Sequence, residues 1–165
     1  MSNLNRPGRA AGFLGAAALA FAFAGCGDDA KPEAENPNAE ACEHMEMGPI
    51  EGVTAAAMSS ASAPKIDHDH KRYDVTTVPV SGAKGGYVTF APAAAGDDIL
   101  FTNQSVELTV KSTAGTDVPA KSSADSIPEC TDVKGRNVFA LEVGTYLVGI
   151  TGVVDKVSFV VEAAE

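Results

Sequence analysis

The chain has 165 residues, no Trp, and 22 acidic against 12 basic residues, a net charge of −10. That balance lacks the basic patches nucleic-acid binding requires, and charge alone keeps such a chain off anionic lipid headgroups. No nucleophile elbow, zinc-protease helix, phosphate loop or dinucleotide loop occurs in the sequence, so the chain is not expected to be an enzyme.

Residues 1–25 open with Arg6 and Arg9, carry no acid, and run through an apolar stretch at 10–24 built of Ala, Phe, Leu and Gly. A stretch of about 15 residues is short for a membrane span, which takes about 20. A basic start, a short apolar centre and a small-residue end make a secretory signal peptide. The end reads Phe23-Ala24-Gly25-Cys26. It resembles the lipobox of bacterial lipoprotein precursors, with Phe23 where that family has a smaller aliphatic or Leu. The resemblance implies cleavage before Cys26 and fatty acylation of its thiol and new amine. Single acyl chains anchor marginally, so a multiply acylated cysteine is what stable attachment requires. Gly27 follows Cys26 in place of the Asp that marks inner-membrane retention, which resembles outer-membrane cargo facing the periplasm or the cell surface. Removal of 1–25 leaves 10 basic against 22 acidic residues, net −12.

Residues 26–41 are Asp, Glu, Pro, Ala and Asn with almost no apolar bulk, and read as a disordered tether about 20 Å long on average. The domain proper is expected over 42–165. Of three cysteines, lipidation takes Cys26; Cys42 and Cys130 are then expected to pair in an oxidising compartment. Closing a loop of roughly 90 residues removes about 4–5 kcal/mol of unfolded-state entropy in the simple chain picture. Residues 55–64 are Ala/Ser-rich, end at Pro64, and read as loop.

From Tyr73 onward the texture becomes alternating. Strands are expected at 73–80, 86–90, 98–102, 105–112, 137–143, 145–151 and 156–162, separated by turn signals such as Lys84-Gly85-Gly86 and Ala114-Gly115-Thr116. Seven strands at this spacing indicate a single antiparallel β-sandwich, immunoglobulin-like or jelly-roll-like, in an all-β domain.

The chemical signal lies before the first expected strand, where His44, His68 and His70 all fall. In an extended chain His68 and His70 of Asp67-His68-Asp69-His70 project to one side, about 6.5–7 Å apart at Cα, a spacing that lets two imidazoles share a metal. A Cys42–Cys130 bridge would hold His44 on the domain to meet them. Three imidazoles suit zinc or copper, and Met45 and Met47 offer soft sulfur to copper. The run Cys42-Glu43-His44, closing in Gly48-Pro49, is similar to the start of a group of small bacterial lipoprotein domains. Those also share the Asp/His-rich strand entry at 67–73 and a later cysteine before a basic stretch, as at 130–136; relatives carry a histidine where this chain has Asn137.

The function expected is that of a lipid-anchored, non-catalytic binding module of the cell envelope with His44, His68 and His70 as metal ligands. The alternative is a metal-free adhesion module recognising an envelope protein or a glycan. Replacing Cys26 by Ser is expected to release the protein from the envelope fraction and to remove the diacylglycerol mass increment, both read by fractionation and intact mass spectrometry.

Overall fold

A computed structural model describes residues 36–164. Cys26, the expected signal peptide at 1–25 and the first part of the expected tether lie outside the described residues. Among the described residues no helix is long and apolar enough to cross a membrane.

The described chain opens with a helix, α1 (Pro37–Met47), inside the segment expected to be tether. The local chemistry accounts for it. Asn36 has extended backbone and its side chain accepts the N–H of Asn38 at 3.0 Å, Pro37 occupies the first turn, and Glu40 complements the helix N-terminus. The helix ends at Gly48, whose N–H donates to the His44 carbonyl; a Cβ there would lie 2.7 Å from that oxygen. Ala41 and Met45, four apart, form the buried stripe. Residues 37–41, expected as tether, are therefore helical, because helix capping and this stripe outweigh a composition that looks unfoldable.

Twelve strands follow: β1 (Ile50–Thr54), β2 (Lys65–Ile66), β3 (Arg72–Thr76), β4 (Val78–Val80), β5 (Ala83–Phe90), β6 (Gly96–Thr102), β7 (Glu107–Ser112), β8 (Asp117–Val118), β9 (Ser122–Ala124), β10 (Gly135–Leu141), β11 (Tyr146–Gly152) and β12 (Lys156–Ala164). They form two sheets, one ordered β1-β3-β12-β6-β10-β9 and the other β2-β5-β11-β7-β8, with β4 also on β5. Among the described residues the protein is an all-β sandwich with one helix. All seven expected strands are present, and pairing is antiparallel except at β1 with β3 and β2 with β5, which are parallel. The expected strand at 73–80 divides at Thr77. Its N–H donates to Asp155 O at 3.0 Å and its hydroxyl to Val154 O at 2.6 Å, and the chain passes from the first sheet to the second. Pro79 then falls in a short strand that pairs only at β5, where a missing N–H is tolerated.

Between the sheets lie Tyr73, Val75, Val157, Phe159, Val161, Leu100 and Phe139 from the first and Ile66, Val88, Phe90, Val110, Val148 and Ile150 from the second. The alternate residues of β6, β10 and β12 point the other way. Ile99, Phe101, Val138 and Val160 meet Ala41 and Met45 of α1, together with Ile127, Cys130 and Val133. Burial on both faces explains why β6 and β12 read as continuous apolar runs. Cys42 and Cys130 are disulfide-bonded with Cα atoms 5.4 Å apart, stapling α1 to the loop before β10.

Two local features set the second sheet. The Tyr146 hydroxyl donates to Glu142 O at 3.1 Å and accepts from Glu142 N–H at 3.0 Å, closing the turn into β11. Gly86 has φ +131°, and a Cβ there would meet Ala55 Cβ at 2.6 Å and Ala56 O at 2.9 Å. Close approach is needed because Ala56 exchanges both backbone hydrogen bonds with Tyr87 at 2.9 Å. Gly86→Ala is expected to destabilise the fold by about 2–3 kcal/mol, from backbone strain and displacement of the 55–56 segment. Urea denaturation followed by circular dichroism checks this; an unchanged midpoint would contradict it.

Candidate metal centre

The segment before β3 is held by charge. The Asp67 carboxylate accepts the Tyr73 hydroxyl at 2.5 Å and pairs with Lys65 at 2.7 Å. Asp69 pairs with Lys71 at 2.9 Å, and Lys71 reaches Glu51 of β1 at the same distance. Burial works to raise the Asp67 carboxyl, but hydrogen bonds from Lys65 and Tyr73 outweigh it and hold the group at about 2. Burial, reinforced by the bond to Asp67, pushes the Tyr73 phenol up. Bonds to Glu51 and Asp69 push the Lys71 ammonium up.

Pinned at these points, the loop is not extended. His70 has φ +50°, a conformation uncommon for a residue with a Cβ. The turn throws the two neighbouring histidines to different places. His68 Nε2 lies 2.9 Å from Asp98 Oδ1, and its ring stands edge-on to Phe90 with centroids 5.0 Å apart. Asp98 belongs to the β6 register that faces the sandwich interior, so this pair sits at the inter-sheet core. His70 instead meets His44 of α1, ring centroids 5.3 Å apart and edge-to-face.

The third member of the His44–His70 group is Glu162. It follows Val161, which faces the core, so strand alternation turns its side chain outward beneath α1. Its carboxylate is 6% exposed, and His44 Nδ1 lies 2.9 Å from Oε1. One donor atom each from His44, His70 and Glu162 falls within 4.8 Å of the others. Two donors on one tetrahedral zinc stand about 3.3 Å apart, so the His44–Glu162 pair needs to open by only a few tenths of an ångström. His70 is exposed and leaves one side open for water or a further ligand.

Thus two of the three expected histidines converge and the third does not. Spacing placed His68 beside His70, but the left-handed turn at His70 and the close approach of His68 to Asp98 separate them. Of the expected soft donors, Met45 is buried in the core beneath α1, and Met47 is exposed. Asn137 accepts from Ser123 at 2.8 Å on β9. Glu162 carried a sequence signal: an acid inside the apolar run Val160-Val161-Glu162-Ala163 of a strand, where burial demands a partner.

No family model and no curated protein matches the chain. Among solved structures it is similar to the pre-peptidase C-terminal domain of a collagenase from Bacillus anthracis, at 9% identity and a TM-score of 0.40, over 69% of this chain and 97% of that one. Fold and site together define a β-sandwich module with a two-histidine, one-carboxylate cluster under a disulfide-stapled helix.

Because the folded Asp67 carboxyl titrates below its unfolded value of 3.8, its stabilisation is present above about pH 4 and is lost as pH falls toward 2. Asp67→Asn is expected to lower stability at pH 7 and to flatten the decline between about pH 4 and pH 2. Urea midpoints measured across that range check it.

Proposed function

We propose that this chain is a lipid-anchored, non-catalytic module of a bacterial envelope that binds a divalent transition metal, zinc or copper(II), on His44, His70 and Glu162. The observation that carries the metal reading is the convergence of three donors from a helix, a loop and a strand far apart in sequence. Two imidazoles and a carboxylate are a donor set for both metals. The absence of Met45 and Met47 from the cluster removes the case for copper(I) there and favours zinc. His68 and Asp98 act at one remove, by fixing the loop that presents His70. Acyl chains on Cys26 would hold the module at the outer membrane, facing the periplasm or the surface.

The competing reading, recognition of a glycan or protein through the sandwich loops, gains little. Tyr73 and Tyr146 are buried in the core, which leaves Tyr87 as the one tyrosine among the described residues with appreciable exposure.

Equilibrium dialysis of the purified full-length chain in detergent, with elemental analysis, tests the metal reading. One equivalent of zinc is expected. His44→Ala, His70→Ala and Glu162→Gln should each weaken binding by about 100-fold or more, and His68→Ala by about tenfold. Wild-type protein that retains no zinc or copper, or equal retention in the three ligand variants, would sink the proposal.

A further inference from the structure

A second donor group lies on the other flank of the same helix. Cys42 and Glu46 are four apart on α1, and Cys130 lies in the turn at 127–130 beneath it. Glu46 Oε1 stands 3.5 Å from Cys42 Sγ and 3.9 Å from Cys130 Sγ. A bridged sulfur carries no hydrogen, so in the oxidised protein neither sulfur has anything to donate to this carboxylate. The arrangement gains a purpose when the bridge is open.

We infer that two-electron reduction of the Cys42–Cys130 bridge creates a second metal site, in which the two thiolates and the Glu46 carboxylate bind zinc. The reductant is a dithiol, small-molecule or protein. It forms its own disulfide as the Cys42–Cys130 bond breaks, and two electrons and two protons pass to the cysteine sulfurs. Zinc then displaces both thiol protons as two Zn–S bonds form. Two sulfurs on one tetrahedral zinc stand about 3.8 Å apart, so they must separate by about 1.7 Å from the bridged state, a change that rotation of the two side chains supplies. Cys130 is only 2% exposed and Glu46 is exposed, which places the sulfurs on the apolar side and leaves the fourth position to water. With the covalent bond open, packing of Ala41 and Met45 together with the hydrogen bonds from Arg136 to Asn38 and from Arg72 to the Met45 carbonyl keeps the two halves of the site together. In the oxidised protein the site does not exist, so metal uptake at this corner follows the thiol redox state. It depends on neither His44 nor His70.

Cobalt(II) is the probe, because thiolate ligation gives it an intense sulfur-to-metal charge-transfer absorption. The full chain carries Cys26→Ser, so that the bridge supplies its only thiols. Reduced with a phosphine, freed of reductant and kept anaerobic, this protein is expected to gain one equivalent of cobalt with the charge-transfer band, which the oxidised protein lacks. Zinc should displace the cobalt and erase the band. Glu46→Gln should weaken cobalt binding about tenfold, Cys42→Ser should abolish the band, and His44→Ala should leave it. A reduced protein with native circular dichroism and no band overturns the inference. So does a reduced protein whose sandwich has unfolded, since the sulfurs are then no longer held together, and so does a band that survives Cys42→Ser.

Discussion

The first sheet has apolar side chains on both faces, and helix α1 is what makes that tolerable. Ile99, Phe101, Val138 and Val160 would form an exposed apolar patch without it. Yet α1 is a weak cover on its own terms. Eleven residues are marginal as an isolated helix, and only Ala41 and Met45 are fully buried. Fixing such a segment costs about 1–2 kcal/mol per residue in backbone entropy, while burying a Met contributes about 1.5–3 kcal/mol. The remainder comes from tethering: the Cys42–Cys130 bridge at one end, Arg136 donating to Asn38 at 3.0 Å, and Arg72 donating to the Met45 carbonyl at 2.7 Å at the other. His44 rides on this helix, so the geometry of the His44–His70–Glu162 cluster is inherited from how firmly α1 is held.

The same economy governs the loop at 67–71. Its two histidines each meet a buried carboxylate, His68 with Asp98 and His70 with the His44–Glu162 pair, on adjacent strands β6 and β12. Cross-strand register makes Glu162 the partner of Ile99 and Ala163 the partner of Asp98. The two acids therefore belong to opposite faces of one sheet. A single loop reaches both faces because it lies at the sheet's end and because His70 accepts a left-handed backbone. Ion pairs to Lys65 and Lys71 and the hydrogen bond from Tyr73 hold it in that shape.

Strand content was legible because the strands alternate or run continuously apolar between turn residues. The faces were legible too: Tyr73, Val75 and Thr77 share a buried side, as do Val157, Phe159 and Val161. The helix was not, since Pro37-Asn38-Ala39-Glu40-Ala41 has the composition of a tether and its buried stripe is two residues wide. The division at Thr77 coincides with a phase shift in the apolar alternation, from Tyr73 and Val75 to Val78 and Val80, which two adjacent threonines mask; hydrogen bonds to the distant Val154 and Asp155 decide it. At the site, His44 and His70 were found by residue type, whereas His68 was misplaced by assuming an extended chain. A backbone dihedral of one residue, which local composition does not encode, reversed that geometry. Glu162 went unread because an acid at a strand end passes for an exposed one until a helix is known to cover it.

The position of β12 bears on how the molecule is made. This strand lies inside the first sheet, between β3 and β6, although it comes last in sequence among the described strands. While the polypeptide emerges from a ribosome or a translocon, β3 and β6 have no partner between them, and both present open hydrogen-bonding edges. The sheet closes only after residues 156–164 are released, and until then α1 lacks β12, the strand it packs against most extensively. Assembly of this sheet thus waits for a strand far along the chain and is built on long-range pairing, which is slow and leaves the nascent segment in need of protection from aggregation.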